Sequence, residues 1–127
     1  MTQSESRKPS ILIIEDEIAV GKVCSRVLEF EGYAVTLVTN GLEAKNEVQL
    51  KHFDACLTDI RLPVINGLDF YEFLAKQYPA LAQKTIFMTG DIMGKDINKF
   101  FDEISIPYLL KPFTSLQLIA AIKRLLK

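Results

Sequence analysis

Five times along this chain a short run of apolar or β-compatible residues gives way to a turn and then to apolar residues spaced by three and four. The runs cover residues 11–14, 33–39, 55–58, 85–88 and 108–110, which is strand length, and the spacing after them is that of a helix with one buried face. Val20, Val23, Cys24, Val27 and Leu28 follow the first run, and Gly32 closes their helix just beyond its C-cap. Asn40, with Glu43 three positions on, opens a second helix in the manner of a capping box, running to about Lys51. After the Asn66-Gly67 turn, Leu68, Tyr71, Leu74 and Ala75 form a buried stripe that stops at Pro79. Ile97, Phe100, Phe101 and Ile104 mark a fourth helix, and Thr114 with Gln117 caps a fifth that buries Leu118, Ile119, Ile122, Leu125 and Leu126. Lys123, Arg124 and Lys127 fall in its final turns, where cations complement the helix dipole. Strands alternating with helices are joined by right-handed crossovers and so run parallel. The expected fold is α/β: a doubly wound, five-stranded parallel sheet with helices on both faces, in three layers.

Within that frame the third run is the one that carries chemistry. Residues 55–58 suit a strand buried on both sides, and Pro63 forbids continuing the ladder. Asp59 therefore comes at a strand's carboxyl end, the edge at which open α/β sheets bind ligands. Glu15 and Asp16 end the first run, Thr89 the fourth and Lys111 the fifth, so parallel strands deliver all of them to one edge. Three carboxylates gathered there repel, by about 4 kcal/mol for two unit charges ~4 Å apart at an effective dielectric near 20. A hard divalent ion offsets this, and Mg²⁺ keeps open positions that a phosphoryl group can fill. Lys111 supplies a further positive charge. The combination suits phosphoryl transfer to a carboxylate: Asp59 as nucleophile, Lys111 as a point charge on phosphate, Thr89 as a hydroxyl donor, and Gly90 leaving room for the incoming group.

Composition narrows the setting. A chain of 127 residues is one domain by length, with residues 1–9 a polar, disordered lead and 10–127 the folded unit. A net charge of −1 provides no basic patch, so nucleic-acid binding by this chain alone is not expected. The opening residues lack the apolar stretch of a signal peptide and no run reaches the ~18 apolar residues of a membrane span, so a cytoplasmic protein is expected. Cys24 and Cys56 read as two reduced, core-packed thiols.

The chain resembles the receiver domains of two-component response regulators. The resemblance rests on Ile11-Leu12-Ile13-Ile14-Glu15-Asp16-Glu17, on Leu57-Thr58-Asp59-Ile60-Arg61-Leu62-Pro63 with Asn66-Gly67, on Met88-Thr89-Gly90, and on Tyr108-Leu109-Leu110-Lys111-Pro112-Phe113. It extends from about Ser10 to Lys127, and the motifs gain their specificity from their order and separations. It implies the flavodoxin-like (βα)5 receiver fold and a switch that catalyses its own phosphorylation and hydrolysis, unlike a conventional enzyme. Asp59 would take a phosphoryl group from a phosphohistidine on a histidine kinase or phosphotransfer protein. Asp16, Asp59 and the Arg61 backbone carbonyl would bind Mg²⁺ directly and Glu15 through water; Glu15 departs from the Asp of many members. Thr89 and Tyr108 match the pair that reports phosphorylation to the face shared by the fourth helix, fifth strand and fifth helix, through which a homodimer is also expected. The Lys111-Pro112 bond is expected to be cis. The wording around Thr89 and Lys111 resembles receivers attached to hybrid sensor kinases.

Other readings compete. Glu15 and Asp16 also suit the N-terminus of the first helix, Tyr108 and the Phe100–Phe101 pair fit a core, and His52 reads as a surface side chain. Arg61 and Asp91 either pair across the pocket mouth and hinder the hydrolytic water or are two solvated side chains. A haloacid dehalogenase phosphatase shares the aspartate, hydroxyl, lysine and Mg²⁺, but its nucleophile leads the chain and has a second Asp two residues on, where this chain has Arg61. A receiver-like binding module that is never phosphorylated is the remaining rival.

Overall fold

In a computed structural model, described here for residues 7–90 and 106–127, five parallel strands form one sheet in the order β2-β1-β3-β4-β5. These are β1 (Ser10–Ile14), β2 (Ala34–Val38), β3 (Ala55–Asp59), β4 (Thr85–Thr89) and β5 (Tyr108–Leu110). The helices are α1 (Ile18–Phe30), α2 (Gly41–Leu50), α3 (Gly67–Gln77), the single turn α4 (Pro79–Ala82) and α5 (Ser115–Leu125). The helix expected over 97–104 lies outside the described residues.

Strand alternation divides the core in two. Ile11 and Ile13, with Leu57 and Met88, pack on Cys24 and Leu28 of α1 and on Leu118 and Ile122 of α5. Leu12, Ile14 and Cys56 point the other way, onto Ala44 and Val48 of α2 and Phe70 and Leu74 of α3. β1 and β3 are buried on both faces, as a near-continuous apolar run in a parallel sheet requires. Cys24 and Cys56 are buried free thiols in different halves of this core, and burial pushes both of their pKa values up.

Local signals account for most boundaries. Gly32 sits at φ 99°, and the Gly32 and Tyr33 amides donate to the carbonyls of Glu29 and Leu28 at 3.0 and 3.1 Å, the paired bonds of a Schellman ending. Those bonds commit Tyr33 to the turn, so β2 starts one residue later than the sequence predicts. The Asn40 side chain accepts the Glu43 amide at 2.9 Å, and Thr114 and Gln117 close a reciprocal capping box on α5.

Two helix faces differ from expectation. Val23 is 61% exposed, because α1 centres its buried face on Gly21, Cys24 and Leu28, and a residue next to Cys24 stands about 100° round the helix. Ala75 is exposed for the same reason, and Phe70 completes the α3 stripe with Leu74. Pro79 ends α3 as expected but also begins α4, a use of proline's fixed φ at a first helical position.

Candidate functional site

Sheet order brings the strand-end groups together. β1 and β3 are neighbours with Ile14 opposite Thr58, so Glu15 and Asp59 leave adjacent strands at the same carboxyl edge. Asp59 is in register with Met88 of β4, and Thr89 with Leu110 of β5, whose next amide, Lys111, donates to the Thr89 carbonyl at 2.8 Å. Lys111 then reaches back over the edge. Its ammonium lies 2.5 Å from Glu15 Oε1 and 2.7 Å from Asp59 Oδ2. The Lys111-Pro112 bond is cis.

Glu15 is fully buried, Asp59 and Thr89 nearly so, and Asp16 faces solvent. One carboxylate oxygen from each of Glu15, Asp16 and Asp59 falls within 4.8 Å of the others. The second oxygen of Glu15 accepts the Glu17 amide at 3.1 Å as the chain turns into α1, so this acid serves both the edge and the helix. Asp59 Oδ1 accepts the Arg61 amide at 3.1 Å, and Thr58 Oγ1 donates to the Asp59 carbonyl at 3.0 Å.

Burial and charge oppose one another here. Burial raises the Glu15 pKa above its ordinary value; the Lys111 and Glu17 hydrogen bonds work against this, and the nearby Asp59 charge adds to it. For Lys111 burial favours the neutral amine, but the hydrogen bonds and charges of Asp59 and Glu15 outweigh it and hold the ammonium above its usual range.

The profile of the family described as "Response regulator receiver domain" matches residues 11–123. The chain belongs to this family. A receiver domain protein (CheY-like) from Methanospirillum hungatei superimposes with a TM-score of 0.86 at 29% identity, covering 94% of each chain. The receiver domain of a signal transduction histidine kinase from Syntrophus aciditrophicus gives 0.83 at 28%, covering 93% of this chain and 89% of that one. Among curated relatives, a probable transcriptional regulator, ycf29 of Pyropia yezoensis, is 35% identical over 91% of this chain and 52% of its own length. This receiver domain thus spans about half the length of the curated relatives it matches. The sheet has the flavodoxin-like strand order, and the match favours a two-component receiver over the phosphatase reading.

The receiver edge gathers most of the sequence-predicted residues. Glu15, Asp16, Asp59 and Lys111 converge, and Thr89 ends β4 beside them. The donor set is made of hard carboxylate oxygens at an open, partly exposed position, and this fits a hard divalent cation. Tyr108 opens β5, the three-residue strand at the sheet's edge, at 43% exposure. His52 is exposed at the opposite end of β3 and pairs with Asp54 at 3.2 Å. Asp91, the proposed partner of Arg61, lies outside the described residues, as do Phe100 and Phe101. Among those residues no helix is long and apolar enough to cross a membrane.

Gly67 is the contact that reading the Asn66-Gly67 dipeptide as a turn does not foresee. A Cβ there would collide with the Asp59 carbonyl oxygen and stand 2.9 Å from Ile60 Cα. The available signal is a glycine that begins a helix instead of ending one, since glycine is the commoner choice past the C-cap.

Proposed function

We propose that Asp59 is the phosphoacceptor of this receiver, taking a phosphoryl group from a phosphohistidine on a histidine kinase or phosphotransfer protein. An Asp59 carboxylate oxygen forms the new O–P bond, the P–N bond to the partner's imidazole breaks, and the imidazole leaves with its electron pair and takes up a proton. Hydrolysis by water later restores the carboxylate and releases inorganic phosphate. The observation that carries the reading is the Lys111 ammonium held between two buried acids from adjacent strands, a cation placed where phosphate charge would arrive.

Asp16, Asp59 and the Arg61 carbonyl would hold Mg²⁺, with Glu15 completing the acidic set, and the ion would supply charge stabilisation for the transferring group. Lys111 and the Thr89 hydroxyl act on the phosphoryl oxygens. Thr89 and Tyr108 form the switch, transmitting phosphorylation to the face made by the predicted fourth helix, β5 and α5, where partners or a second copy dock. The folded unit of residues 10–127 does this in the cytoplasm, without contacting nucleic acid itself. Intact Asp16, Asp59 and Lys111 argue against a scaffold that is never phosphorylated.

Mass spectrometry after incubation with acetyl phosphate and Mg²⁺ tests the assignment. One phosphoryl group on the native chain and none on Asp59→Asn is expected; uptake by the variant, or none by either, overturns it. Calorimetry with Mg²⁺ and beryllofluoride addresses the scaffold rival, which predicts no binding.

A further inference from the structure

Residues 60–66 join β3 to α3, and the loop is gripped at both ends by glycines. Gly67, the first residue of α3, is pressed onto the backbone of Asp59 and Ile60, and its amide donates to the Ile60 carbonyl at 2.8 Å. Gly41, the first residue of α2, is pressed onto Ile65: a Cβ there would lie 2.5 Å from the Ile65 carbonyl oxygen and 2.8 Å from Ile65 Cβ. The nearest atom at each position is main chain, and the next at Gly41 is the Ile65 Cβ bonded directly to it, so neither contact can swing aside as a side-chain tip does. Between these grips Val64 holds φ at 68°, a left-handed conformation that a β-branched residue keeps only when its surroundings impose it. Gly21 differs: a Cβ there would meet only the end of the Leu37 side chain, at 2.8 Å, on the far side of the sheet from the loop.

We infer that Gly41 and Gly67 are positioning residues for the acceptor carboxylate. The start of α2 braces Ile65, the constrained loop carries that brace to Gly67, and Gly67 fixes the Asp59 backbone from which the carboxylate is aimed. The inference rests on the assignment of Asp59 as phosphoacceptor. Aim matters because a displacement of about 1 Å at a reacting group can cost on the order of 100-fold in rate.

Three variants test the brace: Gly41→Ala, which pushes it; Ile65→Gly, which slackens it without a clash; and Gly21→Ala, the same substitution in a helix away from it, crowded by a side chain alone. Phosphorylation by acetyl phosphate is expected to slow about tenfold or more at saturating donor in the first two, with little change in the donor KM, and to stay at the native rate in Gly21→Ala. Native rates in both Gly41→Ala and Ile65→Gly, or an equal slowing in Gly21→Ala, overturn the inference. A metal-free measurement separates it from the acceptor assignment. Backbone amide resonances of Asp59, Ile60 and Arg61 should move in Gly41→Ala and hold in Gly21→Ala, even if the native chain takes no phosphate. If they hold in both, there is no brace.

Discussion

Replacing Lys111 by Met removes the cation from between two buried acids and keeps most of the side-chain volume. Glu15 and Asp59 then face each other with carboxylate oxygens within 4.8 Å, and at an effective dielectric near 20 their repulsion is about 3.5 kcal/mol. The fold has one escape, which is to protonate Glu15. Starting from the ordinary value of 4.5, holding that proton at pH 7 costs about 3.4 kcal/mol, and less because burial already raises the Glu15 pKa. The two routes are similar, so Lys111→Met should lose about 3 kcal/mol at pH 7, in line with breaking a buried pair by removing one partner. For a chain of 127 residues that is roughly 10 °C in Tm. The sign with pH follows from the raised Glu15 pKa. The folded variant binds a proton more readily than the unfolded chain, so its deficit should shrink as pH falls from 7 toward 4.5. Urea unfolding followed by circular dichroism, in chelator at pH 7 and pH 5.5, reads both effects. A loss under ~1 kcal/mol at pH 7, or one that does not shrink at pH 5.5, would refute the electrostatic account of the site.

Other consequences are open to the same instruments. Mg²⁺ at about 100 times its dissociation constant should stabilise the native chain by roughly 2.7 kcal/mol, and thermal melts of Asp16→Asn and Asp59→Asn should show that gain largely lost. The raised Lys111 pKa contributes stability that is complete below about pH 10.5 and fades as pH climbs through the folded value, so an alkaline titration of native stability should fall more steeply there than that of Lys111→Met. Thr114→Ala removes half of the capping box on α5 and should cost about 1 kcal/mol in urea unfolding. Phe70→Ala empties a fully buried position under α3 and should cost ~3–5 kcal/mol, against under ~0.5 for Ala75→Ser.

Elements whose signals are local were legible in the amino-acid order. Asn40, Thr114 and Gly32 act on their own turns, and the structure uses each as its chemistry suggests. The edge constellation was legible for a different reason: parallel strands put their ends on one side whatever their order, so Glu15, Asp16, Asp59 and Lys111 had to share an edge once the strands were identified. Helix phase was harder to read, because a face about 100° wide admits two overlapping stripes when apolar residues are plentiful. Val23 and Ala75 were lost on that margin, and Phe70 was missed on it. Gly67 was missed because close approach of two backbones leaves no pattern in spacing or hydropathy; its trace in the sequence is a glycine where a helix begins, and the contact itself shows only when Asp59 and α3 are in place.

The acids and the cation of the edge come from well-separated stretches of the domain's sequence. Glu15 and Asp59 belong to the first and third strands, whereas Lys111 follows a three-residue strand that touches the sheet along one side only. During synthesis the carboxylates emerge well before their counter-ion, so a nascent chain that closed its first three strands early would trap negative charge with nothing to neutralise it. Vectorial assembly therefore favours delaying closure of this edge until the last strand arrives, or screening it meanwhile with a cation taken from solution.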